Sequence, residues 1–166
     1  MTLPVYLVAG AAGPGADFAF LAPMLARRRP MTALDLPRPA DQDEPSDLDE
    51  LADHALAALP TTPFALVGHA RGAAVALAVA SRSPLVERLV LIAGAPDHPP
   101  APADVAAPTL LIASRHDTAA HPTALPAHAH RVLLDCGTAV LVERPAEVLR
   151  YVDAFLDGAL LAPVKP

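Results

Sequence analysis

The chain has 166 residues, enough for one domain and too few for two comfortable ones, so residues 1–166 are read as a single α/β domain. A hydrophobic fraction of 53% supports a sizeable core, and a formal net charge of −6 argues against nucleic acid or an anionic membrane as partner. A single cysteine, Cys136, excludes an internal disulfide framework, and the apolar run from Val5 to Ala12 is too short to span a bilayer; the expectation is a soluble cytoplasmic protein.

Val5-Tyr6-Leu7-Val8-Ala9 is a continuous apolar run, the pattern of a strand buried on both faces. Gly10-Ala11-Ala12-Gly13-Pro14-Gly15 follows as a glycine-rich loop. Its spacing is not G-x-G-x-x-G and no lysine follows, so it lacks the signature of a phosphate loop. A helix is predicted over Asp17 to Arg27, with Phe18, Leu21, Met24 and Leu25 inside. Arg27-Arg28-Arg29 closes it, where basic charge complements the helix dipole. Met31 to Leu36 reads as a second strand, and Pro39 to Pro45 as an acidic loop. Ser46 suits an N-cap, with Asp47, Asp49 and Glu50 in the first turn of the next helix. Leu48, Leu51, Ala52, Ala55, Leu56 and Leu59 form its apolar stripe, and Pro60 and Pro63 end it.

Phe64 to Val67 has the length of a buried strand, and Ala73 to Ala80 is apolar on every side, as an enclosed helix requires. Gly68-His69-Ala70-Arg71-Gly72 joins them, with two glycines where a sharp turn leaves no room for side chains. Val86 to Ile92 and Thr109 to Ala113 are further strands, separated by a stretch too proline-rich for a helix. Val132 to Leu134 is the sixth, followed by the turn Asp135 to Thr138. Pro145 fits a helix N1 position, and Val148, Leu149, Val152, Phe155 and Leu156 stripe the last helix. Strands alternating with helices imply a parallel sheet with right-handed crossovers.

The strand, the Gly-His-Ala-Arg-Gly turn and the helix resemble the nucleophile elbow of the α/β-hydrolase family, whose motif is G-x-S-x-G. Asp35-Leu36-Pro37 is similar to that family's D-L-P-G turn, with Arg38 in place of the glycine. The runs PTLLIASRHD and GTAVLVERPAEV stand where the family carries its acid and its histidine, so the resemblance covers nearly the whole chain. It implies a three-layer, doubly wound, mostly parallel six-stranded sheet, with a crevice at the carboxyl ends of the first and third strands. It also implies site positions: Ala70 for the nucleophile, Asp117 for the acid, Thr138 for the histidine, and backbone N–H groups of Ala11 and Arg71 for the oxyanion hole. Relatives usually insert a cap between the fourth and fifth strands. Here only residues 93–108 intervene, which implies no cap and a shallow, wet crevice suited to a small or carrier-bound acyl ligand or to a partner protein.

Two departures decide the chemistry to expect. Alanine has no oxygen to attack a carbonyl, and threonine has no basic nitrogen to activate one, so only the acid of the triad survives. His69 is a candidate base within the elbow, whereas His116 reads as a solvated loop residue. His121, His128 and His130 lack further ligands at metal spacing, Cys136 reads as a packed thiol, and neither metal nor cofactor is expected. Three readings remain: a pseudohydrolase that binds without cleaving, an enzyme running cyclisation, elimination or isomerisation in the old crevice, and an engineered Ser-to-Ala variant. Thr138 counts against the last, because one engineered change would not also remove the histidine.

Overall fold

The structure is a computed structural model and describes residues 2–10, 14–37, 47–93, 104–117 and 125–159. Ala11, Arg38, Ser46, His121 and most of the proline-rich stretch after Ile92 lie outside the described residues.

Six strands form one sheet: β1 (Val5–Val8), β2 (Met31–Leu34), β3 (Phe64–His69), β4 (Val86–Ile92), β5 (Thr109–Ser114) and β6 (His130–Leu134). Their spatial order is β2-β1-β3-β4-β5-β6, and every pairing is parallel. The chain starts at β1, steps outward to β2, then crosses to β3 and runs the other way. That reversal lies between β1 and β3 and opens a crevice beyond their carboxyl ends, as the family resemblance implied.

The helices are α1 (Pro14–Asp17), α2 (Leu21–Ala26), α3 (Leu48–Ala58), α4 (Arg71–Arg82), α5 (Val140–Glu143) and α6 (Pro145–Leu156). They cover both faces of the sheet because strand side chains alternate between two cores. Val8, Phe64, Leu66, Leu89 and Leu91 pack toward α3 and α4. Leu7, Val67, Val90, Ile92 and Ile112 pack toward α2 and α6. The residues joining β4 to β5 hold no cap domain among those described.

Local physics corrects three sequence expectations. The single helix over Asp17 to Arg27 is two short helices. The Ala22 amide still bonds the Phe18 carbonyl at 2.9 Å, but Pro23 has no N–H to offer Ala19, so α2 starts just before it. The observed cap of α3 is Asp47, whose carboxylate accepts from the Asp49 amide at 3.0 Å. The arginine run does more than face a dipole. Arg29, whose side chain is 2% exposed, donates to Asp153 at 2.6 Å and Asp157 at 2.9 Å, and Arg28 pairs with the same two carboxylates. These ion pairs tie the end of α2 to the end of α6.

Candidate active site

The site is built on the turn between β3 and α4. Gly68 and Gly72 are glycines because the turn is pressed against its neighbours. A Cβ on Gly72 would stand 2.1 Å from the Val8 carbonyl oxygen, and one on Gly68 would stand 2.4 Å from the Gly72 oxygen. Between them, Ala70 adopts φ 50°, ψ −121°, a region that L-residues rarely enter. Its amide donates to the Ile92 carbonyl at 2.9 Å and its carbonyl accepts from Ala73 at 2.9 Å, so the conformation is held from both sides. Ala93, at the end of β4, also has a positive φ, 46°, and its amide donates to Ile112. Two strained non-glycine residues therefore follow adjacent strands at the crevice.

Such strain costs on the order of 1–3 kcal/mol, while a glycine adds roughly 0.5–1 kcal/mol of unfolded-state entropy. Ala70→Gly should therefore raise stability by about 1 kcal/mol, read as a higher urea midpoint at unchanged slope. A lower midpoint would show that the turn fits alanine without strain.

Beside the elbow lies a carboxylate that the sequence reading left in a helix. Asp17, at the end of α1, has a side chain only 8% exposed. Its Oδ2 accepts from the Gly10 amide at 2.5 Å and stands 3.3 Å from His69 Nδ1. Nδ1 is buried without an aligned hydrogen bond, and the Asp17 carboxylate is the acceptor beside it. The Phe18 ring meets the imidazole edge-on at 6.2 Å between centroids. A Cβ on Gly10 would lie 3.1 Å from both Asp17 Oδ2 and Ala70 Cβ and 3.3 Å from the His69 carbonyl oxygen, so the carboxylate and the Ala70 methyl flank one point beside the turn. Only the glycine-rich composition of Gly10 to Gly15 hinted that something must approach the backbone there.

The loops after β5 and β6, where the family resemblance implies the acid and the histidine positions, lie side by side. The Arg115 amide donates to Leu134 O at 2.8 Å, and Ser114 Oγ donates to Cys136 O at 2.5 Å. His116 Nε2 donates to Asp135 at 2.6 Å; that bond holds the Asp135 carboxyl below the usual range. Asp117 is half-buried and makes no side-chain hydrogen bond among the described residues, while Thr138 is exposed. Instead, Glu143 accepts from the amides of Gly137 at 2.8 Å and Ala139 at 3.3 Å and so fixes the turn around Thr138. Burial pushes the Cys136 thiol up, which disfavours a thiolate nucleophile. His128 bonds the Ala107 carbonyl at 2.9 Å and His130 packs on Phe155, so the described histidines are scattered.

A cleft of about 190 Å³ adjoins Asp17, walled by Phe20, Leu21, Leu141, Val142 and Pro145. Phe20 and Val142 are 45% and 79% exposed at its rim, an apolar mouth for a charged wall.

A family model described as thioesterase domain matches residues 3–111. The chain belongs to that family. The thioesterase-domain match runs from β1 into the first half of β5 and includes the whole turn between β3 and α4, while Asp117 and Thr138 follow it. No curated protein matches the chain significantly. Among solved structures, NosK from Streptomyces actuosus is 19% identical, with 96% of this chain and 99% of that one covered and a TM-score of 0.75. An alpha/beta hydrolase enzyme from a sediment metagenome of the lagoon of Mar Chica, Morocco, is 16% identical over 95% and 92% of the two chains, with a TM-score of 0.79. The enol-lactonase from Burkholderia xenovorans LB400 is 14% identical over 95% and 92%, with a TM-score of 0.77. At these identities the likeness establishes the α/β-hydrolase fold. What this thioesterase-domain protein does with an alanine at its elbow is a separate question.

Proposed function

We propose that this protein binds short acyl thioesters, free or carrier-borne, at the elbow and does not hydrolyse them. The observation that carries this reading is Ala70: the nucleophile's strained backbone is kept at φ 50°, ψ −121°, while the side chain there is a methyl group. The carbonyl of a ligand resting on that methyl faces the N-terminus of α4, where the helix dipole favours developing negative charge. The remaining oxyanion-hole role falls to the backbone of Ala11 and Arg71 by family resemblance. Asp117 and Thr138 then line the far wall without forming a base. The adjoining cleft limits the acyl group: about 190 Å³ is below the roughly 300–1,000 Å³ of drug-sized sites, yet a cavity of about 150 Å³ accepts benzene.

The test is calorimetric titration with S-phenylacetyl-N-acetylcysteamine, alongside a thiol-release assay and a serine-directed fluorophosphonate. Saturable binding is expected, with no labelling at the elbow and no thiol released above a heat-treated control. Absence of binding, or thiol release at an ordinary enzymatic rate of about 1 s⁻¹ or more, refutes the reading.

A further inference from the structure

We propose that Asp17 and His69 form an acid–base dyad that moves a proton at the α-carbon of the bound acyl thioester, an enolisation activity independent of the lost triad. The inference rests on the acyl-binding reading above and adds a reaction to it.

The geometry is that of an oriented base. Asp17 Oδ2 lies 3.3 Å from His69 Nδ1 in an enclosed position, its side chain 8% exposed against 18% for the imidazole. A carboxylate beside Nδ1 favours the tautomer with its proton there and leaves Nε2 as the basic atom. With Nδ1 enclosed against the carboxylate, Nε2 is the nitrogen left to meet a ligand. The Gly10 amide pins the carboxylate at 2.5 Å, and Phe18 meets the ring edge-on, so neither partner is a loose surface group. The dyad stands at the elbow itself, since the point beside Gly10 is 3.1 Å from both Asp17 Oδ2 and Ala70 Cβ. Burial explains why the pair is worth having. A carboxylate taken out of water needs compensation, and beyond one backbone amide the group placed to give it is this imidazole, most strongly when the ring carries a positive charge. That is the state the ring enters on taking a proton.

The step balances without any further reactant. Nε2 of His69 takes the α-proton. The C–H electron pair becomes the new C–C π bond, and the carbonyl π pair moves onto oxygen to give an enolate. The N-terminus of α4 stabilises that oxygen, and Asp17 stabilises the imidazolium. Return of the proton to the α-carbon from the same or the opposite face gives exchange or epimerisation, and the thioester C–S bond stays intact. Ala70 fits this chemistry, because its methyl group offers the carbonyl carbon no nucleophile.

The experiment follows α-hydrogen loss from S-phenylacetyl-N-acetylcysteamine in D2O by proton NMR, with binding and thiol release measured on the same samples. The wild-type protein should catalyse exchange above buffer and heat-treated controls. His69→Gln should lower the saturated exchange rate about 10²-fold or more with binding retained. Asp17→Asn, which can still accept from Gly10, should lower it on the order of tenfold or more at unchanged half-saturation. His116→Gln, remote from the dyad and still able to donate to Asp135, should match the wild type. Circular dichroism establishes that each variant is folded; should His69→Gln fail to fold, Asp17→Asn carries the test. Binding without exchange, or exchange untouched in both dyad variants, overturns the dyad and leaves the acyl-binding reading standing. Loss of binding in the wild type overturns both.

Discussion

Gly72→Ala should destabilise the protein by about 3 kcal/mol or more. The added Cβ would stand 2.1 Å from the Val8 oxygen and 2.6 Å from the Ala9 oxygen, both backbone atoms of the β1 segment. No side chain can swing aside, so α4 must move off the sheet or β1 must shift, and β1 is paired on both sides by β2 and β3. Overpacking of this kind costs about 3 kcal/mol or more, a large share of the roughly 5–15 kcal/mol that holds a domain together. Urea unfolding followed by circular dichroism measures it. A shift equivalent to under about 1 kcal/mol would mean that the elbow and β1 are not in contact as described. The neighbouring Gly10→Ala is milder, because its closest atoms are the Ala70 methyl and the Asp17 carboxylate at 3.1 Å.

Ala70→Ser combined with Thr138→His should restore ester hydrolysis that neither change produces alone. Serine alone has no base in the old position, and histidine alone has nothing to activate. Triad members act as a unit, so the double variant should exceed either single by on the order of 10²-fold with an activated ester. Ala70 already has a strained backbone, φ 50°, ψ −121°, of the kind the family resemblance implies for a nucleophile. Glu143 holds the turn of Thr138 through the Gly137 and Ala139 amides, and His116 and Asp135 clamp the two loops together. A rate rising with pH through about 6.5 would identify the new histidine as the base. A folded double variant that equals Ala70→Ser alone would remove Thr138 from the histidine position.

The parallel sheet was legible because buried strands are short apolar runs bounded by turns, and β1, β3, β4 and β5 each contain one, while β2 and β6 are the partly exposed edges. The sharp turn between β3 and α4 was legible because Gly68 and Gly72 have steric reasons to be glycine. The break before Pro23 was available in the sequence and was outweighed by the apolar spacing of Phe18, Leu21, Met24 and Leu25; Phe18, Leu21 and Leu25 are buried, whereas Met24 is exposed. The Asp17–His69 pair was not legible. Its members are far apart in the chain, and no local pattern links an aspartate after a glycine loop to a histidine at the end of β3. Nor could spacing show that Arg29 is buried against α6, since a basic run after a helix looks the same when solvated.

The bond between the ends of α2 and α6 also dictates the order in which the molecule can be completed. Arg29 leaves the ribosome 124 residues before Asp153 and 128 before Asp157. Until they arrive, a guanidinium destined for the interior has no carboxylate, and burying it unpaired would cost about 3–5 kcal/mol. The nascent segment through β5 therefore has good reason to keep α2 off the sheet. Its apolar face, with Leu21 and Leu25, and the neighbouring Phe18 stay uncovered until α6 is made and are a natural holding site for a chaperone.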